Sequence, residues 1–184
     1  MQSAYGEKIQ ISGVPNAGKI NDHLYRGAQP SPAAFSELKK LGVTTVVNLR
    51  RESDTSAEAE RKAVEAQGLR FVAIPVGGFS APTNEQVVTF LAILRDHPQD
   101  KVFVHCQYGE DRTGVFIAAY RMAFEHWTAA QAVSEMNHFG FHRHWQREMQ
   151  DFVRDFPARM NAAPALAEFQ KTINTQAAAP TPLH

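Results

Sequence analysis

One cysteine occurs in 184 residues, at position 106 in the string HCQYGEDRTG, with a histidine in front of it and Arg112 and Thr113 after five intervening residues. Each residue type has a chemical use at that spacing. Ionised, a cysteine is a strong nucleophile, and an arginine six positions on presents a planar fork that matches two oxygens of an oxyanion. Between them the loop Gln107, Tyr108, Gly109, Glu110 and Asp111 has Gly109 for backbone geometry that a side chain forbids. Successive amides of this loop, running on to Gly114, are expected to point inward and to be joined by the unpaired amides and positive end of a following helix. Such a cradle should bind phosphate and lower the pKa of Cys106, making it a nucleophile aimed at phosphorus. A lone free cysteine is more often a buried structural thiol, but that reading makes the histidine, glycine and arginine coincidental.

Positioning this loop requires a strand before it and a helix after it, and the chain supplies both. KVFVH (101–105) reads as a buried strand and GVFIAAYRMAF (114–124) as part of a helix that starts near Arg112. Upstream, HLYRGA (23–28) reads as a short strand. Ser31 with Pro32 reads as a capped helix start running to about Leu41 and stopped by Gly42. TTVVNL (44–49) is a strand covered on both faces, SAEAERKAVEAQ (56–67) a helix closed by Gly68, and LRFVAIP (69–75) another strand. T-x-x-Q capping boxes at Thr83/Gln86 and Thr128/Gln131 start helices over about 84–97 and from 129 onward, and HWQREMQDFVRDF (144–156) is a last amphipathic helix. Strands alternating with helices predict an α/β fold with a central, largely parallel sheet, whose ligands bind at the carboxyl ends of the strands, where the cysteine loop falls.

Composition bounds the rest. With 19 basic and 19 acidic residues and 43% hydrophobic content, the chain has no general pull toward nucleic acid or an anionic membrane. One cysteine excludes an internal disulfide framework. No apolar run approaches the roughly 18 residues that span a bilayer, and MQSAYGEKIQIS lacks the apolar centre of a signal peptide, so the expected location is the cytoplasm unless a leader has been removed. One domain is expected over 1–174, with its core at about 20–156 and a disordered tail at 175–184. Oligomeric state leaves no mark in the sequence.

The string Cys106-x5-Arg112-Thr113, with His105 ahead of it, resembles the signature loop of the protein-tyrosine and dual-specificity phosphatase superfamily. LYRGAQP, TTVVNLR and the W-T-x-x-x-A segment after the loop look like the compact atypical dual-specificity phosphatases of bacteria, plants and fungi. The resemblance implies a three-layer tyrosine-phosphatase-like fold and no metal or organic cofactor. It assigns Cys106 as nucleophile, Arg112 as phosphate binder and transition-state clamp, and Thr113 as the hydroxyl that stabilises the thiolate. His105 would orient the loop and tune the cysteine. Sulfur-transfer domains of the rhodanese type share the loop design, but the Arg-Thr pair at this spacing favours phosphatase.

The acid that protonates the leaving group is not where larger phosphatases keep it, because PVGGFSAPTNEQV (75–87) contains no aspartate and Glu85 falls in a first helical turn. Asp111, inside the loop, resembles the loop acid of myotubularin-type phosphatases; Asp54, after the strand at 44–49, is the alternative, and a simple helix cap is the bland reading of Asp111. Arg50 and Arg51 leave the same sheet edge and are candidates to bind a second phosphate or a peptide carboxylate. His138, His142 and His144 lack cysteine or carboxylate partners at metal-ligand spacing, so no metal site is expected. VGGFSAP (76–82) reads as a lid over the pocket. The expected partners are a phosphorylated protein or peptide or a small phosphoester. Inositol phosphates are the alternative substrate, weakened by the acidic Glu110 and Asp111, and a non-catalytic phosphate-binding module is a third reading.

Overall fold

In a computed structural model, residues 5–51 and 57–169 are described; Asp54 and the expected tail from 175 lie outside the described residues. The elements in order are β1 (Glu7–Lys8), β2 (Gly18–Lys19), β3 (Leu24–Gly27), α1 (Ala34–Lys40), β4 (Thr45–Asn48), α2 (Ala57–Ala66), β5 (Arg70–Ala73), α3 (Asn84–Asp96), β6 (Val102–His105), α4 (Asp111–Phe124), α5 (Ala129–His138) and α6 (Arg147–Ala162). Among the described residues the sheet has the order β1-β2-β3-β6-β4-β5, with β3, β6, β4 and β5 parallel and the two N-terminal strands antiparallel.

Pleat alternation divides the core. Val47, Val102 and Val104 join one hydrophobic cluster with α3, α4, α5 and α6, while Val46, Phe71 and Phe103 join Phe35 and Leu38 of α1 and Val64 of α2 on the other face. The result is a helix–sheet–helix sandwich, as expected. Helix α4 lies within the larger layer and is buried on nearly every side from Arg112 to Ala123, so the helix that starts at the cysteine loop is also the core's central rod. Its origin is therefore firmly held. No helix among the described residues is long and apolar enough to cross a membrane.

Four differences from the sequence-based expectation have local causes. Strands β1 and β2 are two residues each, too short to leave a periodic pattern. Ser31 does not cap α1: its N–H is bonded to Gly13 O, its carbonyl accepts from Ala34 in a turn, and the helix starts at Ala34 behind an N-cap residue that makes no side-chain cap bond. Helix α6 starts later and ends later than 144–156, because residues up to Gln146 form turns closed on His142 O, while the helix passes through Pro157 to the buried Met160. Buried side chains also extend beyond 20–156, to Ile11, Val14 and Ala17 before it and Leu166 and Phe169 after it. Both capping boxes form, with each threonine hydroxyl accepting from the N3 amide and each N3 glutamine accepting from the N-cap amide.

Candidate active site

Three parallel strands end together where the cysteine loop begins. Gly27, His105 and Asn48 are in register across β3, β6 and β4, so the chain leaving β6 emerges at the middle of the carboxyl edge. Cys106 is the first residue past β6 and is 3% exposed. It lies at the base of a cavity of about 610 Å³ lined also by Arg112, Asp111, Gln107, Tyr108, Arg50 and Arg51. The loop and the arginine pair named from the sequence thus share one cavity.

The loop is pinned from behind by residues that the sequence did not single out. Gly109 has φ +69°, and a Cβ there would sit 2.5 Å from Gly27 C, so only glycine lets the loop lie this close to the end of β3. Its carbonyl accepts from Arg26 Nη2 and from Asn16 Nδ2 at 3.2 Å, and Asn16 reaches Tyr108 O and Phe139 O as well. Arg26 is fully buried, its guanidinium carbon 4.0 Å over the Phe139 ring. Burial draws its pKa down to about 10 against the charges of Glu135, Cys106 and Glu110, so it remains a cation at neutral pH, fixed beneath an anion-binding loop. Its signal in the sequence is a charge inside an otherwise buried strand.

Arg112, in the first turn of α4, is 8% exposed and donates from Nη1 to Val76 O at 3.2 Å. That bond ties the segment 76–82 to the loop, and Gln146 ties it again by donating from Nε2 to Gly78 O at 3.0 Å. The segment walls the cavity through Gly78 and Phe79. If the cavity turns over a phosphoester, Arg112→Lys, which keeps the charge but loses the planar fork, is expected to lower kcat/KM by roughly 100-fold, about 3 kcal/mol of transition-state stabilisation. Steady-state kinetics check it; near-normal kcat/KM would give Arg112 a structural role only.

Asp111 opens α4 and faces the same cavity. Its Oδ1 accepts the His142 N–H at 2.9 Å, and its Oδ2 lies 3.3 Å from both His142 Nδ1 and Gln146 Nε2. His142 Nδ1 is also 3.4 Å from Glu110 Oε2. Burial, followed by the neighbouring Asp111 charge, raises the Glu110 pKa, with His142 and Arg26 opposing. The histidines at 138, 142 and 144 do not converge: His138 packs on Tyr5 and Phe139, and His144 bonds Arg143. His142 instead joins Glu110 and Asp111, with one ligand atom from each within 4.8 Å of the others.

Two further residues are placed differently from expectation. Gly114 does not line the cavity: its amide bonds Glu110 O within the helix and its α-carbon faces Met136 of α5, so its small size serves helix packing. Glu110 turns away from the cysteine cavity toward Gly140 and the neighbouring groove beside Pro15 and Ser31. Thr113 is buried, and its hydroxyl has no hydrogen-bond partner among the described residues. His105, fully buried, places Nδ1 3.3 Å from Cys106 O and Nε2 2.7 Å from Glu60 Oε1. The cavity rim is aromatic: of the four exposed large hydrophobic residues among those described, Phe79, Tyr108 and Trp145 line it.

Comparison with known proteins agrees with this geometry. The family model described as DSP-PTPase phosphatase fused to NAD+ kinase matches residues 13–155. The dual specificity protein phosphatase TpbA of Pseudomonas aeruginosa is 30% identical over 133 residues, covering 68% of this chain and 55% of that protein. Its crystal structure superposes with a TM-score of 0.71 at 24% identity, over 94% of this chain and 98% of that one. The catalytic domain of the PP-IP phosphatase SIW14 of S. cerevisiae superposes with a TM-score of 0.66 at 18% identity, over 84% and 98% of the two chains. Inositol diphosphatase DSP3 of Arabidopsis thaliana is 26% identical over 124 residues, 65% of this chain and 60% of that protein. The chain spans about half the length of the TpbA sequences it matches. With the family model covering most of its length, the chain belongs to the DSP-PTPase phosphatases, among their compact atypical dual-specificity members.

Proposed function

We propose that this chain hydrolyses phosphomonoesters through a phosphocysteine intermediate, with phosphotyrosine or a related aryl phosphate in a protein or peptide as substrate. The observation that carries the reading is the convergence of Cys106, Arg112 and Asp111 on one cavity. Arg112 and the loop amides bind the phosphoryl oxygens and stabilise their charge as the transition state forms. Cys106 Sγ attacks phosphorus, the bond from phosphorus to the ester oxygen breaks, and that oxygen takes a proton from Asp111. Water then attacks phosphorus and gives a proton back to the Asp111 carboxylate, the S–P bond breaks, and the thiolate is restored, with the Thr113 hydroxyl to stabilise it. His142 Nδ1 lies 3.3 Å from Asp111 Oδ2 and supports the orientation of that acid.

The rim formed by Phe79, Tyr108 and Trp145 favours a planar, apolar body attached to the phosphate, since aromatic contacts each contribute about 0.5–1.5 kcal/mol beyond burial. TpbA, the relative with the highest identity cited above, has been crystallised with phosphotyrosine. A second reading, inositol phosphate hydrolysis by the same steps, is supported by the names of DSP3 and SIW14 and by Arg50 and Arg51 at the cavity mouth. Glu110, behind the cavity, opposes a polyanion.

Phosphate release from a phosphotyrosine peptide, p-nitrophenyl phosphate and an inositol polyphosphate tests the choice. The peptide is expected to show the highest kcat/KM, and the double change Phe79→Ala with Trp145→Ala to lower it by about 10-fold, the value of one to two aromatic contacts. Preference for the inositol polyphosphate, with no effect of the double change, would install the second reading. No release from any of the three would leave a phosphate-binding module.

A further inference from the structure

Helix α2 buries a carboxylate that the steps above do not use. In the sequence AEAERKAVEA, Glu60 has the look of one more solvent-facing acid, yet it is 7% exposed and receives three donors. Its Oε1 lies 2.7 Å from His105 Nε2; its Oε2 accepts from Gln29 Nε2 at 2.9 Å and from Asn48 Nδ2 at 3.0 Å. Those donors come from the carboxyl ends of three neighbouring strands: Gln29 follows β3, Asn48 ends β4 and His105 ends β6. The imidazole is stacked on Phe103 with ring centres 5.7 Å apart, which leaves its two nitrogens directed at Glu60 and at the Cys106 carbonyl. Gln29 also donates its backbone N–H to Gln107 O, inside the loop, and its side-chain oxygen accepts from Arg50 Nη1. Asn48 Oδ1 accepts the Arg50 N–H at 2.7 Å. A buried carboxylate costs several kcal/mol unless it is well bonded. Burial pushes the Glu60 pKa up, but the hydrogen bond and charge of His105, with Gln29 and Arg50 helping, leave it below its ordinary value. A carboxylate is thus held ionised at neutral pH behind the strand ends.

We infer that Glu60 is a positioning residue for the nucleophile: its carboxylate fixes the His105 ring, which through Nδ1 holds the Cys106 carbonyl and so the start of the phosphate-binding loop. This rests on Cys106 being the nucleophile. The carboxylate acts on the loop at two points, through His105 at Cys106 and through Gln29 at Gln107, and through the same amides it holds Arg50 at the cavity wall. It touches no reacting atom. A glutamine at 60 keeps the shape but turns one acceptor into a donor facing the Gln29, Asn48 or His105 donors, and it removes the charge. The loop then loses its orientation while Arg112 and the α4 terminus remain.

The test compares wild-type protein with Glu60→Gln and Glu60→Asp. Turnover of p-nitrophenyl phosphate, counted per thiol that inorganic phosphate protects from iodoacetate, should fall by up to about 100-fold in Glu60→Gln, the cost of a displacement near 1 Å at a reacting group. The second-order rate constant for alkylation of Cys106 by iodoacetate should fall with it. Glu60→Asp, which restores the charge, should recover part of both. A loss of folded protein alone would lower the number of phosphate-protected thiols and leave both per-site constants at wild-type values, and that result overturns the inference. Should Glu60→Gln fail to fold, the unaltered protein still decides: histidine-labelled protein must show one imidazole Nε2–H protected from exchange with water, and its absence sinks the idea. Wild-type protein without aryl phosphate turnover would instead remove the nucleophile reading on which this one stands.

Discussion

Cys106→Ser is expected to abolish turnover while leaving phosphate binding intact. A serine hydroxyl is a much weaker acid than a thiol and supplies almost no anionic nucleophile at neutral pH, so the loss should reach on the order of 10⁴- to 10⁶-fold in kcat, as for removal of other covalent nucleophiles. Binding should survive because the proposed phosphate site uses Arg112 and the loop amides, and the loop is pinned by Arg26, Asn16 and the Gly109 backbone. Inorganic phosphate or vanadate should raise the Tm of the serine variant about as much as that of the wild type. Retention of more than a few per cent of wild-type activity would rule out the phosphocysteine route.

The second large effect separates an acid from a loop anchor. If Asp111 protonates the leaving oxygen, Asp111→Asn should slow hydrolysis of a phosphotyrosine peptide or an alkyl phosphate by about 10²- to 10⁴-fold, and that of p-nitrophenyl phosphate far less, since nitrophenolate departs without help. The structure makes the control necessary: Asp111 also accepts the His142 N–H and lies against Gln146, which holds Gly78 of the cavity wall. An equal loss on every leaving group would mean that these bonds, and not proton donation, are what Asp111 provides. The same comparison in Asp54→Asn is expected to show no such effect, and a selective loss there would move the acid to that residue.

Sequence alone determined the features that depend on near neighbours. The spacing from Cys106 to Arg112, the β-branched strand at 44–49 and the threonine–glutamine pairs at 83/86 and 128/131 encode their structures within a few residues, because loop geometry, pleat and capping are local interactions. From them followed the sheet, the helix after the loop and the place of the cysteine at a strand end. Local reasoning failed at Ser31: it had the right type for a helix cap, but a backbone bond to Gly13 O holds it in a turn and the helix starts three residues later, at Ala34. Tertiary structure alone decided which charged residues go inside. Arg26 and Asn16 meet Gly109 across 83 and 93 residues, Glu60 meets His105 across 45, and His142 and Gln146 reach Asp111 across 31 and 35. No periodicity distinguishes these side chains from solvated neighbours on the same helix or loop, since Glu60 and Glu58 look alike in sequence. What separates them is that strand order brings β3, β6 and β4 to one edge, where the buried Glu60 carboxylate finds enough donors to repay its lost hydration.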